Sequence, residues 1–377
     1  MKKGKTLTEL ANEIERRQDL KHDLIAPMPK LSVFVTDTGE PRMLARLPKG
    51  DEHFGIQQLA HNQIAEQLKI PAAYYNRMLA EQPSLLADNI NTWLQNPPTN
   101  NTGTTRGSMV ETKRRMVRTM DGKVRAFLSD KYRSLENEDL AEAVLPVLLQ
   151  RKLIILSCDI TETRLYIKAV DPALEQDVPS GHKRGDGSHV IYDTCSPAIT
   201  ISNSEVGFGA LSIETGTYTK ACTNLAMFGA SMRKYHTGSR AELSDEVFAL
   251  LSDRTKRITD AAVWSQVRDL VGAAFDKEKF EATCQKLTTA SEQKIEDDVV
   301  QVVERVAKRF TFSEGERAGV LKRLIEGADL TRYGLHAAIT RHSADVDDYD
   351  RASVLERLGG EIIELPKSDW QAIAEAA

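Results

Sequence analysis

Met116-Val117-Arg118-Thr119-Met120-Asp121-Gly122-Lys123-Val124-Arg125-Ala126-Phe127-Leu128 reads as two alternating strands around a two-residue turn. Asp-Gly is a strong hairpin signal, because a type I′ turn needs positive φ at both central positions. A two-residue turn fixes the pairing. Met120 then faces Lys123, Thr119 faces Val124, Arg118 faces Arg125, Val117 faces Ala126 and Met116 faces Phe127. On that register Val117, Val124, Ala126 and Leu128 form the buried face. Met116, Arg118, Met120, Lys123, Arg125 and Phe127 form the other.

The hairpin lies in the most basic stretch of the chain. Arg106 to Arg133 holds nine cations (Arg106, Lys113, Arg114, Arg115, Arg118, Lys123, Arg125, Lys131, Arg133) against Glu111, Asp121 and Asp130, a net +6. The whole chain is −5, so the remainder carries about −11. Positive charge concentrated inside an acidic chain points to a polyanion. Arg118 facing Arg125 sharpens this, since like charges directly opposed in a sheet cost roughly 0.2–1 kcal/mol unless neutralised. A phosphate backbone would neutralise them, and Phe127 would offer a ring for base stacking. Glu and Asp side chains from another element would account for the same face equally well.

Working outward, residues 6–24 read as a polar helix with Leu7, Leu10 and Ile14 near one face. Leu31–Thr36 and Arg42–Leu47 alternate around the turn Asp37-Thr38-Gly39-Glu40. Residues 55–94 are helical in pattern, broken at Pro71 and Pro83. A polar linker spans 96–105. Beyond the hairpin, a helix is expected over Glu138–Gln150 and strands over Leu153–Cys158 and Thr163–Val170. Asp177–Gly187, with His182, Lys183 and Arg184, reads as a loop. A second hairpin spans Ala198–Cys222, and a helix capped by Thr223 runs from Asn224 to about Tyr235. From Ala241 the pattern is helical, with capping boxes at Thr289-x-x-Glu292, Ser313-x-x-Glu316 and Ser368-x-x-Gln371. Glu292–Phe310 is amphipathic. The expected fold is α+β, an antiparallel sheet with hairpins packed on helices plus a mostly helical C-terminal domain. Its parts are an N-terminal α/β segment over 1–95, the linker over 96–105, an α+β core over 106–240 and the helical domain over 241–377.

Composition sets limits on function. No apolar run approaches the ~20 residues of a membrane helix. The polar start carries no secretory pattern, so a cytoplasmic protein is expected. Cys158, Cys195, Cys222 and Cys284 are widely spaced, with no histidine at zinc-finger distance, and read as reduced packing residues. There is no phosphate-binding G-x-x-x-x-G-K-[S/T], no H-E-x-x-H and no G-x-S-x-G. The run Asp345-Val346-Asp347-Asp348-Tyr349-Asp350 lacks the glycine of a calcium loop. Neither a metal nor a cofactor is expected, and no catalytic residue is assigned. A nucleophilic Cys222 at a helix N-terminus is a minor alternative.

The segments Val117–Arg133, Ile201-Ser202-Asn203-Ser204-Glu205-Val206-Gly207 and Lys220-Ala221-Cys222-Thr223-Asn224-Leu225, with Arg332-Tyr333-Gly334-Leu335, resemble the phage- and plasmid-encoded family called domain of unknown function 932. The resemblance covers roughly Leu31 to Leu358 and implies a mobile-element protein with no established catalytic residues. The order of hairpins and helices is also similar in outline to single-strand annealing proteins, which bind DNA in a groove on an oligomer. The functional expectation is a non-enzymatic, oligomeric protein that binds single-stranded DNA and assists annealing or recombination. Arg114, Arg115, Arg118, Lys123, Arg125, Lys131 and Arg133 would hold phosphates. Phe127 and Tyr132 would stack, and Lys220, Arg233 and Lys234 would extend the groove. The alternative is an inhibitor of a host nuclease or defence factor that uses the acidic remainder as a DNA mimic.

Overall fold

A computed structural model describes residues 1–96, 113–183, 190–221, 223–234 and 253–375. The expected linker lies almost wholly outside the described residues, as do Arg106, Arg184, His189 and Cys222. The fold is α+β: two mostly antiparallel sheets with the helices mostly C-terminal.

The first sheet has the order β1-β5-β6-β4-β3-β2. Its strands are β1 (Lys21–Pro27), β2 (Leu31–Val35), β3 (Pro41–Leu47), β4 (Gly50–Ile56), β5 (Arg114–Met120) and β6 (Lys123–Ser129). The polar helix, α1, runs only over Leu7–Leu20, capped by Thr6 in a capping box with Glu9. Its expected last turn is instead β1. The Asp37–Glu40 and Asp121-Gly122 turns form as read. Asp121 and Gly122 both have positive φ, 51° and 69°. Three helices follow between the proline breaks: α2 (Gln58–Gln67), α3 (Ala72–Glu81) and α4 (Pro83–Gln95). They cover one face of the sheet, where Leu24, Val33, Met43, Val117, Phe127, Ile64 and Ile90 form a continuous core.

The register of the basic hairpin departs from expectation. Met120 faces Lys123 and Thr119 faces Val124, but Arg118 then faces Ala126, Val117 faces Phe127 and Met116 faces Leu128. A β-bulge at Arg125 causes this, and one extra residue turns everything beyond it to the opposite face. Phe127 is therefore fully buried beside Val117 instead of standing on the basic face. The bulge has a partner on α2: the Gln63 side-chain carbonyl accepts the Phe127 N–H at 2.8 Å. The far edge is closed similarly. Asn91 of α4 accepts from Val33 N–H at 2.7 Å and donates to Val33 C=O at 2.8 Å, occupying the outer groups of β2.

The second sheet has the order β12-β11-β10-β8-β7, with β9 paired to the start of β10. Its strands are β7 (Ile154–Ile160), β8 (Leu165–Val170), β9 (Gln176–Lys183), β10 (Val190–Asn203), β11 (Leu211–Thr219) and β12 (Asn224–Lys234). Two expectations fail here. Residues 177–183 are strand rather than loop, and Asn224–Lys234 pairs with β11 instead of forming a helix. Helical propensity in Leu225-Ala226-Met227 is a weak prior that sheet pairing overrides. One face of this sheet, with Ile167, Ile199, Ile201 and Ile213, packs on α1, α5 (Asn137–Gln150) and α6 (Asp253–Ala273).

The remaining helices are α7 (Lys277–Glu292), α8 (Val299–Phe310), α9 (Glu314–Gly327), α10 (Arg332–His342), α11 (Tyr349–Glu364) and α12 (Lys367–Ala374). Ser313 caps α9 in the expected box with Glu316. The other two boxes do not form. Thr289 lies inside α7, and α12 begins after Pro366 so that Ser368 is within it. The Glu292–Phe310 stretch breaks into the end of α7 and α8. The α11 helix lies across the polar face of the second sheet. There Lys168 donates to Glu356 at 2.6 Å and Arg357 to Glu214 at 2.8 Å, and Gly360 lets the helix approach the Met227 carbonyl.

Two buried histidines give the fold a pH dependence. His61 lies 2.7 Å from the Tyr75 hydroxyl, and His336 lies 2.8 Å from the Gly359 carbonyl. Burial pushes each imidazole down to about 4. Below the ordinary histidine value near 6.5 the unfolded chain takes up protons that the folded chain refuses. Stability should therefore fall as pH drops from about 6.5 towards 4, by up to about 1.4 kcal/mol per pH unit for each histidine. Urea unfolding at pH 7 and pH 5 checks this: the midpoint is expected to be lower at pH 5, and an equal or higher one contradicts it.

Candidate nucleic-acid interface

The basic face of the hairpin is turned towards the second sheet. Glu205, at the end of β10, is buried and gathers the cations. Its Oε1 accepts from Lys21 Nζ at 2.7 Å and from the Asn137 N–H at 2.8 Å, and its Oε2 accepts from Arg125 Nη1 at 2.8 Å. Arg118 is 1% exposed. It donates to Asp23 at 2.9 Å, to Glu136 at 2.6 Å and to the Glu205 backbone carbonyl at 2.8 Å. Lys21 also reaches Glu136 at 3.0 Å. Burial alone would raise the Glu205 carboxyl, but Arg125 and Lys21 outweigh it and hold the group well below the usual carboxylate range. For Arg118 too, burial opposes the charge, and Glu136 and Asp23 override it.

The anion opposite Arg118 and Arg125 is therefore the protein's own. Three carboxylates, Asp23, Glu136 and Glu205, meet three cations, Lys21, Arg118 and Arg125. The expected pair of opposed arginines is not formed. Neither is the expected stacking platform, since Phe127 is in the core. Tyr132 donates to the Ser204 carbonyl at 3.1 Å and packs beside Ala126, Leu128 and Val206. Arg133 is paired with Asp260, and Lys220 with Glu175. Arg115 is half-buried, its guanidinium 6.0 Å from the Phe127 ring. Arg114, Lys123, Lys131 and Arg233 are exposed. The side chain of Lys234 lies outside the described residues.

A different surface collects exposed cations and rings. The outer face of the first sheet over β2, β3 and β4 carries Phe34 opposite Arg42, Arg42 opposite Gly55, and Gly55 opposite Lys123 of β6. A second row holds Ser32, Leu44 and His53, and a third Arg46 and Asp51. Phe34 is 39% exposed, and its ring stands edge-on to His53 at 6.3 Å. Gly55 keeps the row continuous: a Cβ there would stand 3.3 Å from Lys123 Cγ and 3.5 Å from the Glu40 carboxylate. Arg46, His53 and Lys123 are exposed, and Arg42 and Leu44 are half-buried. Glu40 brings its carboxylate into the row beside Gly55, and Asp51 stands opposite Arg46. At about 4.8 Å between strands, the row from Phe34 to Lys123 spans roughly 15 Å, about the reach of two or three nucleotides. The alternation of Phe34, Arg42, Leu44 and Arg46 against Leu31, Val33, Met43 and Ala45 was visible in the sequence. The parallel β4–β6 pairing that adds Lys123 was not.

No cluster of potential metal ligands occurs among the described residues. Asp345, Asp348 and Asp350 are taken up by Arg323, by the cap of α11 and by Thr161. Burial pushes the thiols of Cys158, Cys195 and Cys284 up to about 11, 12 and 12, away from reactive thiolate. No described helix is long and apolar enough to cross a membrane. Comparison with protein-family models, curated proteins and solved structures finds no match.

The charge cluster yields a stability prediction. Glu205→Gln keeps the shape but leaves Arg125 buried without its carboxylate and Lys21 with Glu136 alone, an expected loss of about 3–5 kcal/mol in urea unfolding. Exposed Lys123→Gln should change stability by less than about 0.5 kcal/mol. Because the folded Glu205 carboxyl sits below its unfolded value, its contribution is complete above about pH 4.5 and lost as pH falls further. Equal stability of the two variants would contradict the role given to the cluster.

Proposed function

We propose that this chain binds single-stranded nucleic acid without enzymatic chemistry, and that the contact surface is the outer face of the first sheet. The observation that carries the reading is the row Phe34–Arg42–Lys123 with His53 and Arg46 beside it, on a sheet face open to solvent. Rings on a sheet surface stack on unpaired bases regardless of sequence, at roughly 1–3 kcal/mol per base. Cations alongside track the phosphates. A duplex hides the base faces that Phe34 needs, so the arrangement favours single strands. Arg114 and Lys131, at the open end of the hairpin, offer further phosphate contacts. Assembly into an oligomer and a phage or plasmid setting belong to the same proposal. They rest on the resemblance of the Val117–Arg133, Ile201–Gly207 and Lys220–Leu225 motifs to the domain of unknown function 932 family.

The test is fluorescence anisotropy with matched single- and double-stranded oligonucleotides at about 50 and about 200 mM salt. The single strand should bind more tightly. Phe34→Ala should weaken binding by about fivefold or more. Arg42→Gln with Lys123→Gln should reduce the slope of log K against log[salt] by about 1.4. Absence of binding, or binding indifferent to all three substitutions, would overturn the assignment.

A further inference from the structure

A hollow lies between the second sheet and helices α6 and α7, about 180 Å³ in volume. Its origin is a double irregularity in the β11–β12 pairing. The register shifts on both sides of Glu214, so that Glu214 faces Ala230 while Gly216 faces Met227. Two extra residues result on β12: Ser231, at the step from Ile213 to Glu214, and one of the pair Phe228–Gly229, which stands against Thr215 alone; Gly229 has φ +65°. A bulge re-aims side chains, and here it turns Phe228 to the hollow. Phe280 of α7, Leu270 of α6 and Ala274 just beyond α6 complete an apolar floor.

The rim is cationic. Lys286 is matched by Glu364 at 3.1 Å, which neutralises the one carboxylate lining the hollow. Lys279 has no carboxylate within ion-pair distance among the described residues, so the rim keeps one uncompensated positive charge. An apolar cavity of about 150 Å³ holds a benzene ring. From size, floor and charge together, we propose that this hollow is a binding site for a small aromatic carboxylate, with the ring between Phe228 and Phe280 and the carboxylate on Lys279. The site is separate from the outer face of the first sheet, and this proposal does not depend on nucleic-acid binding.

The test is titration calorimetry of the full chain with benzoate, benzyl alcohol and benzylamine. Benzoate should bind saturably and at least about fivefold more tightly than benzyl alcohol, and benzylamine should bind weakest. Lys279→Gln should remove the preference for benzoate over benzyl alcohol. Thr283→Trp, which fills the hollow from α7, should abolish binding of both. Ala273→Phe fills it from α6 and serves if the first variant does not fold, as judged by circular dichroism. No saturable benzoate binding, benzylamine binding as well as benzoate, or benzoate binding unchanged in a folded hollow-filling variant would overturn the proposal.

Discussion

The buried carboxylate of Glu205 is the point on which the two sheets are joined. It closes the C-terminal end of β10 and holds the first residue of α5 through the Asn137 N–H. It also fixes Lys21 at the start of β1 and Arg125 in β6. Those groups come from four elements, and two of the four belong to the other sheet. Desolvating so many charges is unfavourable, and mutual attraction offsets it only if every partner is in place. The cluster therefore acts less as a source of net stability than as a selector. A docking of the sheets that misplaced one partner would strand a charge in a medium of low dielectric. The net +6 of the Arg106–Arg133 segment accordingly says little about the outer surface, because Arg118 and Arg125 are already neutralised inside.

The same logic recurs at the other covered face of the second sheet. Lys168 and Glu214 project from strands that are apolar on the side facing α1, α5 and α6. Across the sheet they meet Glu356 and Arg357 on α11. The oily side fills space, and the charged side specifies which helix lies there and in what register. Gly360 allows the close approach that brings both ion pairs into reach. The C-terminal helices have their own core around Val302, Leu335, Ile339 and Leu355, so this seam joins two cores rather than one.

Local signals in the sequence were good guides at the turns and proline breaks but not at the Thr289 and Ser368 capping boxes, which do not form. The Asp121-Gly122 turn, the Asp37–Glu40 hairpin, the breaks at Pro71 and Pro83 and the Ser313 box all depend on neighbours within a few residues. The bulge at Arg125 depends on Gln63, far away in the chain, and nothing in the hairpin itself announces it. The choice of strand for Asn224–Lys234 is made by β11, against residues that read as helical. The partner of Arg125 lies 80 residues further on. Half of the exposed sheet face was legible as the alternation in β2 and β3. The addition of Lys123 required a parallel pairing that no local pattern encodes, and the hollow at Phe228 arises from a slip between two strands.

Asn91 has a consequence for assembly. Its amide satisfies both main-chain groups of Val33 in the middle of β2, so a strand from another molecule finds no ladder to extend there. β1 forms the other edge of that sheet. An edge strand whose main-chain groups are unpaired is a template for edge-to-edge association. One side-chain amide removes the central rung of that template at β2.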